Sequence, residues 1–466
     1  MFRYIKNLIQ TLFNQRDDFD KVFDDQVLKL IFIHLSGSEI LQCSLVSKRW
    51  HEVIASEPLL TDRLKIVIIE PYFGMLWRFD TRDAIALVNS KRHYRHIAIY
   101  TTRNFTNDHL LLMATFHWTS VLLYNHTFKS EIELTNFLGL MEPTIESLDL
   151  RNIRIVVSKK QQIASSNLIF PALKTLKVMN CNTYIHSELF KNVENLEHLE
   201  LESASSPSYD DDPKVIVERI RAVQWMLVKN VQIQKLKLFI HQKDFDNMFI
   251  DERFLSRLRF RLVDLSIKKF RKMYERETNI VQMNNFGKFL TSQKDSLRSL
   301  HLLEWIGNEC LELAINTLDK LRVLSIENLE CYGKDDSIAN MNLFKNESIE
   351  VLCLHARHSK FCELQKVLLG VVPNLKELTI GTVNQQVLDT LIDKTTKLER
   401  LNMDYFTAYI VPDQSVLHYL KTMNFHMSYA QNFRDQLRGQ SYYTNFEAVF
   451  LRAARRFENK LKRNSV

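Results

Sequence analysis

IESLDL, residues 145–150, carries apolar side chains at its first, fourth and sixth positions. The last two alternate with polar residues. That period of two sets both leucines on one side of a short strand. The phrase returns as LKTLKV from 173, LEHLEL from 196, IQKLKL from 233 and LVDLSI from 262. It continues as LRSLHL from 297, LRVLSI from 321, IEVLCL from 349, LKELTI from 375 and LERLNM from 398. Its fourth position is Leu in every clear copy, from Leu148 and Leu176 through Leu378 and Leu401. Looser copies are YRHIAI from 94, WTSVLL from 118 and a last one starting at Leu420. Successive clear copies start 28, 23, 37, 29, 35, 24, 28, 26 and 23 residues apart. A unit of this size cannot bury its leucines alone. Stacking the strands in parallel makes one continuous core.

Between the phrases lie helical patterns. CELQKVLLGV (362–371) puts Leu364, Val367 and Leu368 on one face, and QQVLDTLIDK (385–394) does the same with Val387, Leu388 and Leu391. Pro171 and Pro373 fall where a helix should stop before the next strand. On these residues the chain resembles the leucine-rich-repeat family over 94–430. The resemblance implies an α/β solenoid with a curved parallel sheet on its concave side and helices on its convex side. That family often has Asn or Cys three positions after the second strand leucine. Here those positions include Ile153, Cys181 and Ala204, and only Cys181 conforms. Two long steps carry insertions, the acidic ASSPSYDDDPK (204–214) and the basic KKFRKMYERETN (268–279), both surface features by composition.

The first sixty residues differ in texture. In FDDQVLKLIFIHLSGSEILQCSLVSKRWHEVI (23–54), Val27, Leu28, Ile31, Phe32 and Leu35 share a helical face, with Asp24 as N-cap. Ser36, Gly37 and Ser38 break that helix. Ile40, Leu41, Ser44 and Leu45 make a second, and Ser47 caps a third in which Trp50, Val53 and Ile54 align. Helices this short must pack together, and so small a unit needs something further to pack against.

This segment resembles the F-box motif. The residues that carry it are Phe23, Val27-Leu28, Ile31-Phe32 and Leu35, then Ile40-Leu41-x-Cys43-Ser44-Leu45-Val46-Ser47-Lys48-Arg49-Trp50. The family's usual opening Leu-Pro is Phe23-Asp24 here, and its closing Trp near position 60 is replaced by Leu59 and Leu60. The resemblance implies docking on a Skp-type adaptor, and through it on the cullin and RING subunits of a ubiquitin ligase. Carried over by position, Phe23, Leu28, Ile31, Leu35, Leu41, Val46 and Trp50 form or brace that interface, with Lys48 and Arg49 as polar rim. A purely structural reading makes the same helices an N-terminal cap on the first repeat.

The organisation expected is an N-terminal extension over 1–21, an F-box over 22–62 and about 12 to 13 irregular repeats over 63–430. A basic amphipathic capping helix over 431–466 follows, with Phe446, Phe450, Ala453, Phe457 and Leu461 on one stripe. A sharper reading of that last segment is a helix for a membrane surface or an import receptor, given Arg452, Arg455, Arg456, Lys460, Lys462 and Arg463.

Function then falls to the face of the strands turned away from the core. The residues after the second strand apolar include Tyr100, Tyr124, Arg151, Met179, Phe239, Lys268 and His355. The central column adds Lys177, Lys237 and His301. Aromatics mixed with both signs of charge are the composition of a protein-binding face, so an unknown protein substrate is expected there. Lys177, Lys235, Lys237 and Lys268 make its middle basic, which suits an acidic or phosphorylated partner.

Bulk composition agrees. The chain has 466 residues, 45% hydrophobic and 25% charged, with only 9 Gly and 8 Pro, so it can bury a large core and needs few special turns. A net charge of +7 is mild for this length and does not demand nucleic acid. The six cysteines form no C-x-x-C and sit mostly in apolar segments, which fits a reducing compartment. No signal-peptide core or apolar run of about 18 residues is present, so the expected location is cytoplasm or nucleus, without a membrane. GxSxG, HExxH, phosphate-loop and dinucleotide patterns are missing, and HARH (355–358) lacks a third metal ligand. The reading is a non-catalytic receptor with no catalytic residue, metal or cofactor of its own.

Overall fold

The computed structural model describes residues 23–69, 81–90, 92, 94–100, 107–156, 168–181, 189–202, 213–249, 251–270, 280–303, 308–327, 341–355, 362–383, 385–406 and 422–425. The extension over 1–21, the loops 204–212 and 271–279, and the C-terminal helix over 431–466 lie outside these residues. The chain divides into two units, Met1–Ile349 and Glu350–Val466.

The first unit opens with α1 (Asp25–Phe32), α2 (Gly37–Cys43), α3 (Lys48–Ser56) and the single turn α4 (Pro58–Thr61). Each of the three main helices starts on a side-chain cap, because the first backbone N–H groups of a helix have no partner inside it. Asp24 accepts from the Val27 N–H at 2.8 Å. Ser36 and Glu39 form a reciprocal capping box. Ser47 accepts from the Trp50 N–H at 3.2 Å. Leu28, Phe32, Leu35, Ile40, Cys43, Trp50, Val53 and Ile54 are buried together. Phe32 and Trp50 meet edge to face with ring centroids 5.1 Å apart.

The second helix differs from expectation at both ends. It begins at Gly37 because the capping box starts it there, and it stops at Cys43. Leu45 therefore falls in the turn before α3 and is 81% exposed.

The strands follow: β1 (Lys65–Ile69), β2 (His96–Tyr100), β3 (Ser120–Tyr124), β4 (Thr127–Phe128), β5 (Ser147–Arg151), β6 (Arg154–Ile155), β7 (Thr175–Met179) and β8 (His198–Glu202). Next are β9 (Lys235–His241), β10 (Asp264–Phe270), β11 (Ser299–Leu302) and β12 (Val323–Glu327). The helices among these strands are α5 (Thr81–Asn89), α6 (Asn107–Thr115), α7 (Glu131–Gly139), α8 (Pro213–Lys229), α9 (Gln242–Phe249), α10 (Glu252–Arg257), α11 (Ile280–Ser292) and α12 (Asn308–Thr317). In this unit the main sheet runs β1-β2-β3-β5-β7-β8-β9-β10-β11-β12, all parallel, while β4 and β6 form a small separate pair. The architecture is α/β with a large parallel sheet.

Within the first unit the phrases are in register. Leu148, Leu176, Leu199, Leu236, Leu265 and Leu300 are cross-strand neighbours and buried. The carbonyl just before each of β2, β3, β5, β7, β8, β9, β10 and β11 accepts two N–H groups from the next repeat. Glu146 O, for example, takes Lys174 N–H and Thr175 N–H at 2.9 Å each. Buried amides close the helix ends: Asn230 Oδ1 accepts the Leu196 N–H at 2.8 Å, and Gln293 Oε1 accepts the Leu262 N–H at 2.9 Å.

The second unit holds β13 (Val351–His355), α13 (Cys362–Val371), β14 (Glu377–Val383), α14 (Gln385–Lys394), β15 (Arg400–Phe406) and β16 (Thr422–Phe425), with the four strands parallel in that order. Both helices read from the sequence are present there. Leu364, Leu368, Val387 and Leu391 are buried, and Pro373 stands in the turn after α13 ends.

Candidate functional site

Two surfaces come forward. The first is the helical unit. Leu28, Leu35 and Trp50 are core residues, so they can brace a docking surface but cannot touch a partner. Phe23, Ile31, Leu41 and Val46 are half-buried. The outward apolar side chains are Leu30 at 66% exposure, Leu45 at 81% and Leu59 at 58%. Sequence reasoning left these three off the site; Leu30 breaks the helical stripe, and that off-stripe position was the available signal. Lys48 is solvent-facing, near Glu52 at 4.0 Å. Arg49 is not simply a rim charge. Its Nε donates to Asp25 Oδ1 at 2.9 Å and its Nη2 to the Phe23 carbonyl at 2.7 Å, pinning α3 to the start of α1.

A basic seam joins this unit to the repeats. Arg63 donates to the carbonyls of Ile33 and Leu35 at the end of α1. Arg92 donates from Nη2 to Ser44 Oγ at 2.7 Å, with His51 Nδ1 at 3.1 Å, and from Nη1 to the Tyr94 hydroxyl at 3.2 Å. Arg95 pairs with Asp62 at 3.1 Å.

The second surface is the open face of the sheet. From β5 to β11 its central row reads Asp149, Lys177, Glu200, Lys237, Ser266, His301. The next row outward reads Tyr100, Tyr124, Arg151, Met179, Glu202, Phe239, Lys268. Tyr100 and Tyr124 lie with ring centroids 5.7 Å apart. Met179, Phe239, Lys268 and His301 are half-exposed, and His301 Nε2 is 3.9 Å from Asp264 Oδ1. His355 stands on β13 of the second unit.

In the middle of this face carboxylates stand beside part of the basic charge. Arg151 grips Asp149 with two hydrogen bonds of 2.8 and 2.7 Å, which hold its guanidinium above even its usual range. Lys177 and Lys237 both lean on Glu200, at 3.5 and 3.9 Å. His198 Nε2 is 3.8 Å from the same carboxylate, yet burial, and then Lys177, lower its imidazole. Burial raises the Glu202 carboxyl. Sequence reasoning picked out the lysines and left Asp149 and Glu200 off the site, because the pairing is visible only once the strands are in register.

Among the described residues no group of three His, Cys, Asp or Glu side chains is placed to hold a metal, and no helix is long and apolar enough to cross a membrane. Cys43, Cys181 and Cys310 are buried, and the Cys181 thiol donates to the Leu150 and Met179 carbonyls.

Comparison with known proteins agrees with this geometry at its start. The F-box-like family pattern matches residues 25–66. No curated protein matches the chain. Among solved structures, a leucine-rich-repeat protein of Leptospira interrogans is similar at 11% identity and a TM-score of 0.36, covering 79% of this chain and 91% of that one. Residues 25–66 are an F-box-like domain, and the repeated strand–helix units that follow carry the leucine-rich pattern.

Proposed function

We propose that this chain is the substrate-recognition subunit of an SCF-type ubiquitin ligase. The F-box-like domain docks a Skp-type adaptor, and through it the cullin and RING subunits. The open face of the repeats holds a protein target. The chain itself does no chemistry and works in the cytoplasm or nucleus. Ubiquitin transfer gains by proximity, because a tethered target lysine sees a high local concentration of the charged conjugating enzyme.

The observation that carries this reading is the F-box-like unit itself. It has a complete buried core, yet it still exposes Leu30, Leu45 and Leu59. Exposed large apolar side chains on a folded unit mark an interaction surface. The test is capture of a purified Skp-type adaptor by the full chain. Leu45→Asp combined with Leu30→Asp should cut capture at least ~10-fold, about 1.4 kcal/mol, with an unchanged thermal melt. Failure of the wild-type chain to capture the adaptor overturns the proposal.

A second reading rests on the arginine seam. Arg63 and Arg92 bind the helical unit firmly to the first repeats, as a simple cap would require. In that case the chain is a non-degradative repeat scaffold, and the adaptor experiment gives no capture.

A further inference from the structure

The open face between β5 and β9 carries a feature that the receptor reading does not use. Along its central row the charge alternates at every strand: Asp149, Lys177, Glu200, Lys237. Neighbouring strands lie ~4.8 Å apart, so like charges recur every ~9.6 Å. The rows on either side of it add Arg151, Lys235 and Glu202, so the balance of two cations and two anions is a property of the central row itself. Glu200 is only 6% exposed and its Oε2 makes no hydrogen bond. Two ammonium groups and the His198 imidazole flank it, at 3.5, 3.9 and 3.8 Å. A buried carboxylate in this state retains unused acceptor capacity. A polyanion laid on this row would meet as many carboxylates as ammonium groups, which disfavours nucleic acid and uniformly acidic chains.

We propose that this strip binds a single α-helix of the target protein, laid across the strands, that presents acid, base and acid on successive turns. The dimensions select a helix. Residues i, i+4 and i+7 share one helical face, and the ~5.4 Å pitch places i and i+7 ~10.5 Å apart, close to the like-charge repeat. An extended chain repeats every ~6.7 Å on one face and loses register at the second charge. Acidic side chains at i and i+7 meet Lys177 and Lys237. A Lys or Arg at i+4 falls at the Glu200 position between them and shares its carboxylate with Lys177 and Lys237. An apolar residue on the flank of that face meets Met179 and Phe239, which stand in the adjoining row. The inference rests on the open face being the target-binding face and names the class of target it takes.

The experiment uses the full chain and three fluorescein-labelled, alanine-based helical peptides of 22 residues. Their single charged faces read Glu-Lys-Glu, Lys-Glu-Lys and Glu-Glu-Glu. Fluorescence anisotropy is recorded in 50 and 500 mM NaCl. The Glu-Lys-Glu peptide is expected to bind at least tenfold tighter than either control, and to weaken in high salt. Lys177→Glu, Glu200→Lys and Lys237→Glu together invert the three charges that the peptide meets, and should transfer the preference to Lys-Glu-Lys. Glu200→Gln, nearly isosteric, should lower Glu-Lys-Glu binding at least fivefold without moving the melt. Equal or tighter binding of Glu-Glu-Glu overturns the proposal, as does a triple variant that folds but keeps the wild-type preference. Adaptor capture is measured on the same triple variant. Retained capture with inverted peptide preference supports the proposal. Lost wild-type capture tells against the receptor reading alone.

Discussion

Arg92 Nη2 donates to Ser44 Oγ across 2.7 Å, joining residues 48 positions apart in the chain. The same guanidinium reaches His51 and Tyr94, so one side chain holds the turn before α3, the body of α3 and the entry to β2. Hydrogen bonds to a charged group contribute about 1.5–3 kcal/mol each. Arg92→Leu should therefore loosen the helical unit from the repeats. The expected result is faster amide hydrogen exchange in 44–56 relative to the strands, with adaptor capture preserved. Unchanged exchange would show that Arg63 and Arg95 suffice to hold the seam.

Gly37 has a steric role. A Cβ there would collide with the Arg63 carbonyl, while the Arg63 guanidinium holds the end of α1. Backbone and side chain of one residue thus clamp both ends of the loop between α1 and α2. Gly37→Ala should cost about 1–3 kcal/mol through overpacking. Gly370, in α13, meets nothing within 4 Å, so Gly370→Ala should stabilise its unit by about 0.5–1 kcal/mol. Urea midpoints moving in opposite directions are the check.

The repeats were legible because leucines at fixed strand positions report burial directly. The first strand was missed for a definite reason. Counting back from Ile66, whose partner is Ile97, the apolar opening position of the phrase is occupied by Arg63. That side chain turns instead to the carbonyls of α1, because this end of the sheet meets helices. The helical unit was legible in its caps and core stripe. Its outer surface was not, since the place where α2 stops decides which way Leu45 faces. The open face was the hardest part. Lys177 and Glu200 lie 23 residues apart, and only the strand register makes them neighbours.

His126 supplies a pH test. It is buried beside His109, with its ring 4.8 Å from that of Phe128. Burial, and then the neighbouring His109, pull its imidazole down to about 3. An unfolded imidazole titrates near 6.5. Between that value and about 3 the unfolded chain binds the extra proton, so stability is full above 6.5 and falls as the solution becomes more acid. The slope from this residue is about 1.4 kcal/mol per pH unit. His126→Phe should flatten the loss of stability between pH 6 and pH 4, measured by urea denaturation. An unchanged slope assigns the acid sensitivity to other groups.

Three asparagines, Asn125, Asn152 and Asn180, close consecutive repeats in a left-handed conformation, and at the last two the expected position missed them by one residue. The chain turns out of β5 and β7 at Asn152 and Asn180, with φ of 54° and 53°, one residue before Ile153 and Cys181. In this left-handed region Asn is far better tolerated than branched residues. The Asn152 N–H donates to the Met179 carbonyl at 2.9 Å and the Asn180 N–H to the Glu202 carbonyl at 3.0 Å, so each turn is tied to the next strand. The Asn180 side-chain amide donates to Asn152 Oδ1, linking the two turns directly. Asn180→Gly keeps the backbone conformation and loses only that side-chain bond, a cost of about 1 kcal/mol. Asn180→Val adds the left-handed strain of a branched side chain, about 1–2 kcal/mol more. Denaturation midpoints should fall in the order wild type, Gly, Val. A valine variant as stable as the glycine one would mean that the turn has relaxed out of its left-handed conformation.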